Sequence, residues 1–149
     1  MVSRILVPTD GSETARKAAI FAVDLAKQLD ATIIILSVVN QSSFVTQIVS
    51  AAETPLHVIE PVDDYLNEAA RGYVAELEKL CEKHSVRSEI IVTGGQTVEI
   101  IVKEAKKSKA DLIVIGSHGR SALAASILGS VAYGVIHNES RTPVLIVRR

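Results

Sequence analysis

Short apolar runs alternate along the chain with longer segments of helical period. Most of the runs are apolar at nearly every residue, and only the third tends to alternate, with Arg87 and Glu89 on one face. Runs of this kind are typical of strands that are covered on both faces, as in a parallel sheet. The predicted strands are Ile5–Val7, Thr32–Val39, Val86–Val92, Leu112–Ile115 and Val144–Val147.

The segments between these runs repeat their apolar residues every three or four positions, which predicts amphipathic helices. The predicted helices cover Ser12–Leu29, Pro61–His84, a stretch around Val98–Ala105 and about Ser130–Asn138, the last weakened by Gly134. Strands that alternate with helices predict an α/β fold. We therefore expect one doubly wound, Rossmann-like domain over residues 1–149. Its five-stranded parallel sheet has the order 3-2-1-4-5, with helices on both faces.

The segment from Asn40 to Glu60 does not fit this alternation. It has no clean period, and a connection of that length is unusual in a compact domain. It is also too apolar for a freely solvated linker, with Phe44, Ile48 and Leu56 among its residues. Two interpretations stay open: an ordered excursion packed on the domain, or a mobile lid or partner-binding segment.

Charge and cysteine content indicate which binding partners and which cellular compartment to expect. The 149 residues include 16 Lys and Arg and 17 Asp and Glu, so nothing predicts a nucleic-acid surface or a basic membrane patch. Cys81 is the only cysteine and cannot form an internal disulfide, which favours a reducing compartment. The first residues lack a signal-peptide pattern, and no apolar run approaches the ~18 residues that cross a bilayer. We expect a cytoplasmic protein.

The loop after the fourth strand has the features of a phosphate site. In open α/β sheets, ligands bind beyond the carboxyl ends of the strands where the strand order reverses, which points to the loops after strands one and four. The second of these loops reads Gly116-Ser117-His118-Gly119-Arg120-Ser121. Its two glycines let the backbone approach a ligand closely, and Arg120 can reach a phosphate. Gly129 and Ser130 open the last helix, whose free N–H groups favour an anion.

Two side chains in these loops have alternative interpretations. Asp10, after the first strand, can accept hydrogen bonds from an adenine or a ribose, or it can cap the first helix. His118 can polarise a phosphate, or it can be a solvated loop histidine. The residues alone leave both choices open.

The motifs together resemble the universal stress protein family. Its ATP-binding members carry Gly, two residues, Gly, nine residues, then Gly followed by Ser or Thr, and Gly116, Gly119, Gly129 and Ser130 meet that pattern. The Val-Pro-Thr-Asp-Gly-Ser start and the Pro-Val-Leu-Ile-Val end are also similar to the family. The resemblance implies ATP as ligand. It assigns adenosine to Pro8, Thr9, Asp10 and Val38, the ribose and phosphates to Ile115, Gly116, His118 and Gly119, and the phosphate tail to Gly129, Ser130 and Val131. The chain departs from many members at Ala132, where they place a second hydroxyl.

Catalytic arrangements are mostly absent from the sequence. It contains no G-x-S-x-G elbow, no H-E-x-x-H and no P-loop, and nothing positions a water for fast hydrolysis. We therefore expect a regulatory module with at most slow ATP hydrolysis, and Mg²⁺ held through phosphate oxygens. An enzyme acting on an adenylate-like or phosphorylated substrate in the same cleft stays open. An FMN-binding, flavodoxin-like protein is disfavoured, because only 3% of the residues are aromatic and none is Trp.

The last predicted strand suggests a homodimer. In the expected order it lies at a sheet edge, and Val144–Val147 is apolar on both faces with no charge before Arg148. A bare edge of this kind is a template for pairing with another chain. Strand three, at the opposite edge, carries Arg87 and Glu89. We therefore expect residues 143–148 to pair with their two-fold mate, as family members do.

Overall fold

The computed structural model describes residues 1–40, 59–118, 128–139 and 141–148. Helices and strands alternate through these ranges, as the sequence predicts. The elements are β1 Arg4–Pro8, α1 Glu13–Leu29, β2 Thr32–Val39, α2 Ile59–Lys83, β3 Ser88–Gly94, α3 Thr97–Lys107, β4 Leu112–Gly116, α4 Ser130–Asn138 and β5 Val144–Val147. Most of the unassigned Asn40–Glu60 segment, residues 41–58, lies outside the described residues.

The five strands form one sheet in which every pair of neighbours is parallel. Their order is β3-β2-β1-β4-β5, so the expected α/β doubly wound fold and its strand order are confirmed. The chain first moves outward from β1 to β2 and β3, then crosses to β4 and continues to β5. The direction of winding therefore reverses between β1 and β4.

Two apolar cores, one on each face of the sheet, explain why the central strands are apolar at nearly every residue. Ile5 and Val7 of β1 contribute to a core that includes Ala18 and Ala22 of α1 and Leu77 of α2. Leu6, between them, points to the opposite core with residues of α3 and α4, because successive strand side chains alternate between faces. Ile5, Leu6 and Val7 are all fully buried. The sheet is thus covered on both sides.

Several element boundaries differ from the predicted ones. The apolar run at Val86 is not yet strand: the Val86 N–H donates to the Cys81 carbonyl at 2.9 Å, which forms the turn after α2. β3 therefore begins two residues later, at Ser88. At the other end of α2 the helix begins at Ile59, so Pro61 falls within its first turn, where a missing N–H breaks no helical hydrogen bond.

Gly134 has a packing role that helix propensity does not reveal. A β-carbon at this position would lie 2.7 Å from a methyl carbon of Val98 in α3. The absence of a side chain lets α4 approach α3 closely, and α4 extends to Asn138 as predicted. The residue that weakens the helix on its own thus supports the contact between two helices.

In the described part of the chain, no helix is both long enough and apolar enough to cross a membrane.

Candidate functional site

A cleft opens at the carboxyl edge of the sheet, between the loops that leave β1 and β4. This is the point where the winding reverses, and it is where ligands bind in open α/β sheets. The walls also include parts of α1, β2, α3 and α4. The lining residues are Pro8, Thr9, Asp10, Ala15, Leu36, Val38, Thr97, Ile101, Ile115, Gly116, Ser117, His118, Val131 and Ala132.

The cleft brings together most of the residues that the sequence singles out. Eight of them line its walls: Pro8, Thr9, Asp10, Val38, Ile115, Gly116, His118 and Val131. Gly129 and Ser130 lie at the start of α4, directly before Val131. Gly119 and Arg120 lie outside the described residues. Segments far apart in sequence, around residues 8–10, 38, 115–118 and 129–131, therefore meet at one edge of the sheet.

Sequence reasoning did not assign six of the lining residues to the ligand, although it had named one of them, Ala132, as a position where many family members place a hydroxyl. Ser117 stands inside the loop that was already identified, and its neighbours Gly116 and His118 were the available signal. Ala132 directly follows Val131, whereas Leu36 lies two residues before Val38 and Ala15 lies three residues after the first loop, so each stands near an assigned segment. Thr97 and Ile101 had no such signal, because α3 reaches the cleft only through the crossover from β3 to β4.

The loop after β1 is shaped by the backbone and by the Asp10 carboxylate. The Thr9 N–H donates to the Leu36 carbonyl at 2.8 Å, which ties the loop to β2. Asp10 Oδ1 accepts from the Ser12 N–H at 2.9 Å. The N-cap of α1 is Ser12, whose Oγ accepts from the Ala15 N–H at 3.2 Å. The interpretation of Asp10 as the cap of this helix is therefore wrong, and its exposed carboxylate stands at the cleft.

His118 is held in a defined position at the cleft wall. The residue is only 7% exposed, so the interpretation of a solvated loop histidine is wrong. Its Nδ1 lies 2.7 Å from the Ser117 Oγ, and its carbonyl accepts a hydrogen bond from the Thr14 hydroxyl. Its Nε2 is buried and has no hydrogen-bond partner among the described residues. Because an unpaired buried polar atom costs free energy, this nitrogen is a natural contact for a ligand.

The start of α4 supplies backbone donors close to this histidine. The Gly129 N–H donates to the Ser117 carbonyl at 2.7 Å, which fixes the helix start against the end of β4. Gly129 is the N-cap, and no side chain caps the helix there. The N–H groups of the first turn have no acceptor within the helix, and they stand at the positive end of its dipole. The arrangement can hold an anion.

Among the residues that the structure describes, no group of three or more His, Cys, Asp and Glu side chains is placed to hold a metal ion.

A doubly wound sheet with an anion-suited cleft at its switch point defines a ligand-binding α/β protein of the Rossmann-like class. The chain belongs to the universal stress protein family, whose model matches residues 1–148. It is 34% identical over 149 residues to universal stress protein MJ0531 of Methanocaldococcus jannaschii, an alignment covering 100% of this chain and 84% of that relative. The family membership expected from the motifs is confirmed.

Solved structures agree with this assignment. Protein MJ0577 of the same organism superposes with a TM-score of 0.80 at 30% identity, covering 100% of this chain and 97% of that one. A universal stress protein solved in complex with cAMP superposes with a TM-score of 0.66 at 26% identity, covering 99% and 97%. The second of these relatives therefore binds an adenine nucleotide.

Proposed function

We propose that this chain is a cytoplasmic regulatory module that binds ATP with Mg²⁺ in the cleft between β1 and β4 and hydrolyses it slowly at most. The observation that carries the proposal is the buried, unpartnered Nε2 of His118 beside the uncapped start of α4. The similarity to a family member in complex with cAMP supports the adenine nucleotide. The single cysteine, fully buried in the core, suits a reducing compartment.

The adenosine part of the ligand fits the β1–β2 side of the cleft. Pro8 and Val38 offer apolar contacts there, and Ile115 and Ile101 continue the apolar wall. Nucleotide and cofactor sites commonly combine such walls with a few placed polar groups. Thr9 and Asp10 supply those groups, with the exposed Asp10 carboxylate facing the ribose hydroxyls.

The phosphates fit the α4 side of the cleft. The Gly129 N–H is already used by the Ser117 carbonyl, so the donors are the next N–H groups, of Ser130, Val131 and Ala132. The His118 Nε2 adds a side-chain contact, and Ser130 adds a hydroxyl. Ala132 lines the cleft where many family members have a hydroxyl, so one contact that they make is absent here. We include Gly119 and Arg120 in the proposed phosphate site because they belong to the sequence motif that begins at Gly116.

The magnesium ion belongs with the triphosphate. Mg²⁺ keeps several waters and commonly binds through substrate phosphates and one or two carboxylates. In the absence of a carboxylate cluster in the described ranges, we propose coordination through phosphate oxygens and water.

The enzyme alternative rests on the contact of 2.7 Å between the Ser117 hydroxyl and the His118 imidazole, since a base beside a hydroxyl can activate it. The turnover rate distinguishes this enzyme from the proposed regulatory module. A rate of about 1 s⁻¹ or more, at the lower end of ordinary enzymes, with ATP or an adenylate would replace the regulatory proposal.

The first experiment identifies and measures the nucleotide. Nucleotide released from the purified protein by denaturation is identified by mass spectrometry, and ATP affinity is measured by titration calorimetry. Gly129→Val should abolish ATP binding, because the side chain blocks the approach of a phosphate to the start of α4. The backbone of Gly129 (φ -62°, ψ 154°) suits any residue, so the fold should persist.

The matched control is Gly72→Val on the exposed side of α2, where a β-carbon meets nothing within 4 Å. It should bind ATP like the wild type. Equal ATP affinity in wild type and Gly129→Val would show that the phosphates do not bind at the start of α4.

We also propose a homodimer through residues 143–148. β5 lies at one edge of the sheet formed by the described residues, and its four residues are half-buried. The other edge carries charged side chains. Glu89 of β3 forms a bidentate ion pair with Arg4, with Nη–Oε distances of 3.0 and 2.8 Å. An exposed apolar edge strand favours pairing, and a charged one opposes it.

A further inference from the structure

A groove of about 290 Å³ runs between α1 and α2, on the outer side of these helices. Its floor is apolar and contains Ala19 of α1 with Leu77 and Leu80 of α2. Ile20 forms part of the wall and is 47% exposed. We call this feature the α1–α2 groove. It is separate from the nucleotide cleft, although Thr9 borders both.

The charges around the groove are unbalanced. Arg16 is neutralised by Glu76, with Nε and Oε1 2.8 Å apart. Lys79 and Lys83 also line the groove, and neither forms an ion pair or hydrogen bond within the described residues. They stand four positions apart on α2, where like charges repel each other. The side chains that line the groove thus carry three positive charges and one negative charge beside an apolar floor.

We propose that the α1–α2 groove binds an amphipathic acidic segment of a partner protein. A large apolar side chain of that segment packs between Ile20 and Leu80, and carboxylates one helical turn apart face Lys79 and Lys83. Insertion of an amphipathic helix into an apolar groove is a common mode of peptide recognition. The partner's charges relieve the repulsion between the two lysines, and complementary charge selects acidic segments over basic ones.

The Arg16–Glu76 pair favours a peptide over a lipid as the occupant. Both residues line the groove, so a hydrocarbon chain lying along it would remove the pair from water and return no hydrogen bond. A peptide can meet the same two side chains with its own polar groups.

The test uses a fluorescein-labelled helical peptide with leucines on one face and glutamates on the other. Fluorescence anisotropy should show saturable binding to wild type. The protein's methyl NMR signals from Ile20, Leu77 and Leu80 should shift with the same saturation. The same peptide with every glutamate replaced by lysine should bind at least about tenfold more weakly, a difference of ~1.4 kcal/mol.

Charge reversal in the protein provides the control. The double variant Lys79→Glu/Lys83→Glu should lose the acidic peptide and gain the basic one. The matched variant Lys103→Glu/Lys106→Glu makes the same change on exposed positions of α3 and should bind like wild type. Equal binding of the acidic peptide by both double variants overturns the proposal, and so does an absence of saturable binding to wild type. If only the Lys79/Lys83 variant changes the sedimenting mass of the protein alone, a second copy occupies the groove and the proposal is wrong.

Discussion

The backbone of Gly116 lies directly against the backbone of Thr14. A β-carbon at Gly116 would stand 2.9 Å from both the carbonyl carbon and the carbonyl oxygen of Thr14. The end of β4 therefore packs directly against the first turn of α1. The Thr14 hydroxyl adds a hydrogen bond between the same segments by donating to the His118 carbonyl. The sequence motif explains Gly116 by the approach of a ligand, but packing alone already requires a glycine here.

Gly116→Ala should therefore destabilise the protein even without nucleotide. The added methyl meets backbone atoms, which cannot move aside as a flexible side chain can, and overpacking of this kind costs about 1–3 kcal/mol. Urea denaturation of the nucleotide-free protein measures the change. Gly72→Ala is the control and should be neutral or slightly stabilising, since its β-carbon is unobstructed. An unchanged urea midpoint for Gly116→Ala would contradict the packing role.

Asp10 should contribute to nucleotide affinity through its charge. Asp10→Asn retains an oxygen that can accept from the Ser12 N–H, so the loop should keep its shape. A hydrogen bond from a ribose hydroxyl to a carboxylate is worth more than one to an amide, by roughly 1 kcal/mol. We expect Asp10→Asn to weaken ATP, ADP and AMP binding by a similar factor of about five to ten, measured by calorimetry.

Asp10→Ala separates this effect from loop shaping. It removes both the charge and the hydrogen bond to Ser12, so it should weaken binding further. If Asp10→Asn binds all three nucleotides normally and only Asp10→Ala is impaired, the residue shapes the loop and makes no contact with the ribose.

The fold was predictable because its main signals are local. Runs such as Thr32–Val39 are apolar on both faces, and this pattern is what a strand between two helical layers requires. The signal is weaker at the sheet edge. No residue of β3 is fully buried, so its apolar pattern is weak, and the apolar Val86 of the preceding turn was grouped with the strand.

The lining residues of the cleft were predictable where they belong to a loop with a recognisable motif. They were not predictable where they lie on a helix that reaches the cleft only because of the fold. The segments around Pro8 and Gly116 follow strands and contain turn residues. Thr97 and Ile101 lie on an ordinary amphipathic helix, and only the crossover from β3 to β4 brings them to the site. The sequence also did not reveal how His118 is held, because its hydrogen bonds join the neighbouring Ser117 and the distant Thr14.

Cys81 should make stability depend on alkaline pH. Burial, with a smaller effect of the nearby Glu78 charge, raises the pKa of the Cys81 thiol from 9.0 to about 11. The folded state therefore binds the thiol proton more tightly than the unfolded state does. The resulting contribution to the free energy of unfolding is fully present below pH 9 and is lost as the pH rises towards 11. Between pH 8 and 10.5 wild type should lose about 2 kcal/mol more unfolding free energy than Cys81→Ala. Parallel losses in the two proteins would show that the thiol does not titrate with unfolding.

The proposed dimer can be tested at a single backbone N–H. The Ile113 and Ser117 N–H groups donate to the Pro143 and Val147 carbonyls, each at 2.9 Å. Residues 143, 145 and 147 therefore turn their backbone groups towards β4, and those of Val144 and Ile146 point away from the sheet. Ile146→Pro removes one outward N–H and leaves the hydrogen bonds to β4 in place. If β5 pairs with its two-fold mate, this variant should sediment as a monomer at micromolar concentrations at which wild type is a dimer.

Ile146→Ala is the matched control for this variant. The Ile146 side chain packs against the core on the α3–α4 face, so both substitutions lose apolar contacts and should lower the unfolding free energy. Only proline also removes the outward donor, because alanine keeps its N–H. Ile146→Ala should therefore remain a dimer, although a less stable one. If both variants dissociate equally, side-chain packing holds the dimer and the edge hydrogen bonds do not. A wild type that sediments as a monomer throughout the micromolar range would rule out pairing through residues 143–148 in this protein.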